Sequence, residues 1–250
     1  ATAKKAFITG ISGQDGSYLT EFLLKKGYEV GGLIRRNAAN ETGNIEHLLS
    51  EIKIYHGDLV SPESIAMALL DFKPDEIYNL ASQSSPLASF KDVFGTMMIT
   101  GIGAIQVFER AKQIVPKAKI YQASTSEMFG KPKQIPQNEE TPLSPANPYA
   151  AAKELAHRMG IIYRKDRTAP LFICCGILFN HESPRRGLNF VTRKISAAVA
   201  CIKNHKKEGI PINERGEPIV QNGKLKLGDL EAERDWGYAP DYVEAMWMML

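Results

Sequence analysis

The run KIYQAST (residues 119–125) is followed at once by Ser126 and Glu127, so a strand-like segment ends on two hydroxyls and a carboxylate. Further along, NPYAAAK spaces Tyr149 and Lys153 four residues apart, which on a helix puts a phenol and an ammonium on one face. Near the N-terminus, ITGISGQDGSYL carries Gly10, Gly13 and Gly16 between an apolar run and an amphipathic one. Glycines at that spacing, after a strand and opening a helix, let the backbone turn tightly and approach a pyrophosphate, whose charge rests on the helix N-terminus. A dinucleotide beside Tyr149 and Lys153 suggests hydride chemistry. A phenol of ordinary pKa near 10 is a poor base at neutral pH, but an adjacent ammonium and a positive nicotinamide favour its phenolate. Tyr149 can then take the proton of a substrate hydroxyl while hydride leaves for the cofactor.

The choice of dinucleotide is read at the end of the second strand. An NAD site usually has Asp or Glu about 20 residues after the glycines to hold the ribose 2′-hydroxyl. Here the strand ends in LIRRN, and Arg35 and Arg36 suit a 2′-phosphate, so NADP is expected. Asp58, in HGDL at the end of the third strand, falls where adenine should sit and can accept from its amino group.

These residues need a scaffold. Short β-branched runs alternate with helix-length segments: KAFITG, then a helix at 14–26; YEVGGLIR, then a short helix near 43–49; IKIYHGDL, then 62–72; EIYNLA, then roughly 89–113. AKIYQAST, a helix at 148–165 and PLFICCGILF complete six strands, the last expected to be buried on both faces with Cys174 and Cys175 as small core residues. Ser61 followed by Pro62 marks a helix start. The alternation predicts an α/β, doubly wound parallel sheet (Rossmann), whose ligands lie at the carboxyl ends of the strands, where Thr125 to Glu127 stand. After residue 180 the rhythm changes to a polar loop, a helix over 189–204, a polar stretch over 205–224 that reads as an insertion or hairpin, and an apolar helical end over 241–250, part of whose core is expected beyond residue 250. The chain thus divides into a dinucleotide-binding domain, 1–179, and a smaller substrate-binding part, 180–250.

Composition limits the partners. With 44% hydrophobic residues, 250 residues bury a sizeable core, and 31 basic against 28 acidic residues, dispersed along the chain, imply neither nucleic acid nor an anionic membrane. No apolar run approaches the roughly 18–20 residues of a membrane span. Three cysteines suit a reduced compartment, so the expected setting is cytoplasmic. No metal-ligand spacing is present.

The blocks ITGISGQDGSYL, RRN, HGDL, YNLASQS, YQASTSEMFG, NPYAAAK, GILFNHESPRRGLNFVTRKI and LGDLEAERDWGYAPDYVEAMW run nearly the whole chain. Together they resemble the GDP-mannose 4,6-dehydratases, extended members of the short-chain dehydrogenase/reductase superfamily. The resemblance implies an NADP-dependent lyase that converts GDP-mannose to GDP-4-keto-6-deoxymannose, a homo-oligomer (dimer or tetramer), and a chain that continues well past residue 250. It implies Thr125, Glu127, Tyr149 and Lys153 as the catalytic set. Glu127 would remove the carbon 5 proton once carbon 4 is a ketone and then protonate the departing carbon 6 hydroxyl; Thr125 would bond the 4-hydroxyl.

For the cofactor the resemblance implies Gly10, Gly13, Gln14, Asp15 and Gly16 at the first turn, with Arg35, Arg36, Asp58 and Leu59 around the adenosine. Leu80, Ala81 and Ser82, with Tyr149, Lys153, His181 and Arg186, complete that shell. For the sugar nucleotide it implies Ser84, Asn180, Asn189, Val191, Lys194 and Arg234. QSSPLASF departs from the family pattern, since Pro86 stiffens a segment that should pass near the sugar. Other readings stay open: a dehydratase on another GDP-sugar such as a heptose; a 4-epimerase or reductase, against which Glu127 argues because neither needs the carbon 5 proton removed; and an inactive NADP-binding subunit or fragment.

Overall fold

The computed structural model describes residues 2–35, 42–206, 208–213 and 216–250. The chain runs β1 (Lys5–Thr9), α1 (Gln14–Lys25), β2 (Glu29–Ile34), β3 (Lys53–His56), α2 (Pro62–Phe72), β4 (Glu76–Asn79), α3 (Pro86–Ser89), α4 (Val93–Thr96), α5 (Gly103–Ile114), β5 (Lys119–Thr125), α6 (Pro148–Lys165) and β6 (Ile173–Leu178). It continues through β7 (Asn180–Glu182), α7 (Val191–Lys203), β8 (Val220–Gln221), β9 (Lys224–Leu225), β10 (Trp236–Tyr238) and α8 (Ala239–Met248). The first six strands form one parallel sheet in the order β3-β2-β1-β4-β5-β6. This is the doubly wound Rossmann arrangement, and its strand order reverses between β1 and β4, where a cleft must open.

Alternation along β1 explains the two layers. Phe7 packs on one face with Phe72, Leu69, Val107 and Phe108. Ala6 and Ile8 face the other side, with Leu19 and Leu23 of α1 and Val243 and Met246 of α8. Fully burying a side chain such as Phe72 is worth about 1.5–3 kcal/mol. Ser61 caps α2 as expected, accepting from the Ser64 amide at 3.3 Å with Pro62 in the first turn. The terminal apolar helix lies against the core, and Trp247 donates to the Tyr28 hydroxyl at 3.0 Å.

Several local expectations need correction. The helix expected over 89–113 is divided, because Ser85 caps α3, accepting from Ala88 N at 3.2 Å, and Asp92 caps α4, accepting from Gly95 N at 2.8 Å. A π-helical stretch, Met97–Ile102, then leads into α5 and turns the Thr100 hydroxyl to accept from Gln83 N at 3.1 Å. The short helix near 43–49 is a single 3-10 turn at Glu46–Leu48. β6 is an edge strand, so Cys174 and Cys175 are half-buried rather than core. A hairpin does occur in the polar stretch, as the antiparallel pair β8 and β9 with a bridge between Ile212 and Pro218. The parallel pairing of β7 with β10 was not legible, since each strand is three residues long and they are distant in sequence.

Candidate active site

The carboxyl ends of the strands are held together by a buried polar ladder. Thr9 donates to the Asn79 side chain at 2.6 Å, and Asn79 donates in turn to Gln122 at 2.7 Å. The Thr9 hydroxyl also accepts from the amides of Leu80 and Ala81, each at 3.1 Å. The chain leaving β4 is thereby drawn against the first turn, where Gly10 has φ +70° and an added Cβ would lie 2.9 Å from Ala81 N. Only glycine suits both that conformation and that approach. Gly13 N closes the turn on Gly10 O at 3.0 Å, and α1 begins at the next residue with its N-terminal amides facing the cleft.

The cleft has a volume of ≈ 410 Å³ and is walled by the first turn (Gly10, Gly13 to Gly16), the ends of β2 and β3 (Arg35, Asp58, Leu59), the exit of β4 (Leu80 to Ser84) and Arg186. A second cleft of ≈ 230 Å³ adjoins it, sharing Asp15, Leu80, Ser82, Ser84 and Arg186. Thr125, Glu127, Tyr149, Lys153, Asn180 and His181 open onto this second space. The long cleft thus runs from the glycine-rich turn to a cluster of acid, phenol and amine.

Within that cluster, α6 starts at the Asn147 cap, whose Oδ1 accepts from Ala150 N at 2.8 Å, and presents Tyr149 and Lys153 one turn apart, both buried. Lys153 Nζ donates to Ala123 O at 2.9 Å, and burial pushes its pKa down to about 8. Burial pushes the Tyr149 phenol up to about 12, against the hydrogen bond from Thr125, which pulls it down. Of the two charges expected to favour phenolate, the Lys153 ammonium does not offset this burial: it stands 5.8 Å from the ring centroid and spends a hydrogen bond on β5. Thr125 also caps the 3-10 turn Ser126–Phe129, accepting from Glu127 N at 3.3 Å. Glu127, in that turn, accepts from Asn147 Nδ2 at 3.2 Å.

The far wall comes from β7. His181 Nε2 meets Asp15 Oδ2 at 2.7 Å, its Nδ1 meets Phe179 O at 2.7 Å, and its ring stacks on Tyr242 with centroids 4.4 Å apart. Burial works to lower the His181 pKa, but the Asp15 and Phe179 bonds prevail and hold it above the ordinary value. Burial likewise opposes the Asp15 charge, and His181 overcomes it, leaving Asp15 below the usual carboxylate range. The pair pins β7 to the start of α1. Arg186 lies over the Phe190 ring, 3.6 Å from its centroid, with Nε 3.3 Å from Glu182 but off the line of a hydrogen bond.

Comparison with known proteins bears on this arrangement. A family model described as GDP-mannose 4,6 dehydratase matches residues 7–250. The chain belongs to the GDP-mannose 4,6-dehydratase family. It is 46% identical over 257 aligned positions to a GDP-mannose 4,6 dehydratase of Cricetulus griseus, covering 99% of this chain and 64% of the relative. It is 46% identical to that of Homo sapiens over 255 positions (98% and 64%) and 43% identical to that of Vibrio cholerae over 256 positions (99% and 64%). The chain therefore spans 64% of the length of these curated relatives. Among solved structures, a Thermus thermophilus UDP-glucose 4-epimerase in complex with NAD superposes with TM-score 0.80 at 24% identity, covering 98% of this chain and 74% of that one. A Streptomyces venezuelae dTDP-glucose 4,6-dehydratase with NAD bound superposes with TM-score 0.76 at 19% identity (97% and 70%). At those identities the likeness is one of fold.

For this member of the GDP-mannose 4,6-dehydratase family, the structure gathers most of the expected residues. Every expected cofactor residue outside the catalytic pair lines the first cleft, except His181, which lines the second, and Arg36, which lies outside the described residues. Ser84 and Asn180 line the second cleft. Asn189, Val191, Lys194 and Arg234 line neither: Asn189 precedes α7, Val191 and Lys194 lie in its first turn, and Arg234 is in an exposed segment before β10. Sequence reasoning missed Ser12, Gln83 and Ile99 of the first cleft and Phe190 of the second. It also missed Asn147, although an Asn directly before the Pro that opens a helix is a readable cap signal. Among the described residues, no group of three His, Cys, Asp or Glu is arranged to hold a metal ion, and no helix is long and apolar enough to cross a membrane.

Proposed function

We propose that this protein is an NADP-dependent dehydratase that converts GDP-mannose to GDP-4-keto-6-deoxymannose. The observation that carries the reading is a carboxylate, Glu127, opening onto the same small cleft as Tyr149, Lys153 and Thr125. Family membership at 42–46% identity supports the substrate.

The first cleft fits a dinucleotide: Gly10, at φ +70°, lets the first turn pack against Ala81 with no side chain between them, and the N-terminal amides of α1 would meet an anion there. Arg35, at the end of β2, gives that cleft a cation and supports NADP over NAD. A nicotinamide dinucleotide held by Gly10, Gly13 to Gly16, Arg35 and Asp58 would supply a hydride acceptor for carbon 4 of the hexose and a hydride donor for carbon 6. Tyr149 accepts the 4-hydroxyl proton, with Thr125 bonding the same oxygen. The phenol, held up to about 12 by burial, needs a nearby positive charge to act as base, and Lys153 at about 8 can release or take a proton near neutrality. Glu127 removes the carbon 5 proton, acidified by the new ketone, and passes a proton to the leaving carbon 6 hydroxyl as water departs. Residues 1–179 serve as the dinucleotide half and 180–250 as part of the sugar-nucleotide half. Asn189, Val191, Lys194 and Arg234 contribute to the GDP end in this reading, which also carries a homo-oligomer, dimer or tetramer, and a cytoplasmic setting on family grounds.

The test is incubation with a panel of GDP-, UDP- and dTDP-linked sugars and NADP, followed by mass spectrometry. Loss of one water from GDP-mannose supports the reading. Epimerisation without loss of mass, or dehydration of a UDP-sugar in preference, overturns it.

A further inference from the structure

We propose that Asn147 is a positioning residue for the Glu127 carboxylate, so that the cap of the helix carrying Tyr149 and Lys153 also sets the aim of the acid facing them. The inference rests on the dehydratase reading for its kinetic consequence and on geometry for the contact itself. Asn147 Oδ1 is committed to the amide of Ala150 at 2.8 Å, which fixes the orientation of its side-chain amide. Nδ2 therefore points away from the helix and donates to Glu127 Oε2 at 3.2 Å. Among the described residues, Asn147 is the only side chain that hydrogen-bonds this carboxylate.

The two partners are held at that spacing by the backbone between them. Ser144 N donates to Met128 O at 2.8 Å, and Gly130, at φ +61°, lies so close to the Ser144 carbonyl that an added Cβ would overlap it. The segment leading into α6 is thus stitched to the turn that carries Glu127. Residue chemistry separates this role from simple capping. Ser, Asp and Asn all cap a helix well, but an ionised Asp has no donor, and the Ser hydroxyl, which can both accept and donate, ends one bond short of where Asn places Nδ2. A fixed carboxylate meets the carbon 5 proton without a search through rotamers.

The experiment compares Asn147→Ser, which keeps the cap and draws the donor back by one bond from Glu127, with Asn147→Asp, which keeps the cap and sets a second carboxylate against the first. Glu127 is followed in protein labelled with ¹³C at the Glu carboxyl carbons, its signal assigned by comparison with Glu127→Gln, with no sugar nucleotide present. At neutral pH that signal should move and broaden in both variants as the carboxylate loses its fixed donor, while both variants melt close to the parent. With GDP-mannose and NADP, water loss should slow by about tenfold or more in the Ser variant, the scale of one hydrogen bond to a charged group. Reduced cofactor should then build up at an unchanged initial rate. A Glu127 carboxyl signal unchanged from the parent's, or a slowing of water loss matched by an equal slowing of cofactor reduction, would mean that Asn147 only caps the helix. If the parent removes water from no sugar nucleotide, the dehydratase reading fails, and the Glu127 carboxyl signal alone decides whether Asn147 governs Glu127.

Discussion

Replacing Glu127 by Gln separates the two halves of the proposed cycle. Glu127 takes no part in holding Tyr149, Thr125 or Lys153: the phenol bonds Thr125, and Lys153 Nζ is tied to Ala123 O. The amide of Gln is nearly isosteric with the acid and can still offer an oxygen to Asn147 Nδ2, which now donates at 3.2 Å. Because Glu127 is only half-buried, the stability cost of the change should stay within about 1 kcal/mol, readable as a small shift in Tm. The elimination, in contrast, loses the carboxylate assigned to it. Removing one acid/base group costs about 10²–10⁴ in rate, or ~2.7–5.5 kcal/mol on the barrier to carbon 5 deprotonation at 1.36 kcal/mol per tenfold. Oxidation at carbon 4 then outruns water loss, so rapid mixing of the variant with GDP-mannose and NADP should raise absorbance in the reduced-nicotinamide band while mass spectrometry finds no 6-deoxy ketone. Tyr149→Phe should give neither signal. Dehydration by Glu127→Gln at near the parental rate would refute the assignment of the carboxylate as the carbon 5 base.

Gly130→Ala should cost ~1–3 kcal/mol from the positive φ alone, with more from the Ser144 carbonyl, and a denaturant titration that finds the variant as stable as the parent would contradict the packing of this turn. The Asp15–His181 pair should give a pH-dependent contribution to stability. His181, with its pKa raised, contributes fully below its ordinary value near 6.5 and loses that contribution as pH rises through the raised one; Asp15, with its pKa lowered, contributes fully above about 3.9 and loses it as pH falls. Parent and His181→Asn melts should therefore differ most between about pH 4 and 6.5 and converge on either side, and a constant difference across that range would count against the pair. Arg35→Ala should reduce the preference for NADP over NAD by about tenfold or more in calorimetric titrations; equal affinities of the parent for both would overturn the reading of the β2 end.

Much of the framework was legible because its signals are local. The glycine spacing after KAFIT, the Ser61–Pro62 start of α2 and the four-residue step from Tyr149 to Lys153 each follow from short-range geometry, and all stand where the pattern put them. Where one local signal competed with another, periodicity misled: apolar spacing over 89–113 suggested one helix, but the hydroxyl of Ser85 and the carboxylate of Asp92 each began a separate one. The edge position of β6 was invisible for a related reason, since an apolar run looks the same whether one neighbour or two flank it.

The sequence by itself determined the doubly wound sheet, the glycine-rich turn and the types of side chain that meet at the strand ends, because residue type, period and spacing act within a few residues of one another. Only the tertiary structure decided how those groups are tuned. The Thr9–Asn79–Gln122 ladder joins three strands, the Asp15–His181 pair joins α1 to β7, and Asn147 reaches back to Glu127. Each contact spans at least 20 residues of chain. The same holds for the phenol of Tyr149: its reference pKa belongs to the residue, but burial among neighbours brought together by the fold moves it to about 12. Desolvation depends on what surrounds a group in space, and that is settled only when the chain has closed on itself.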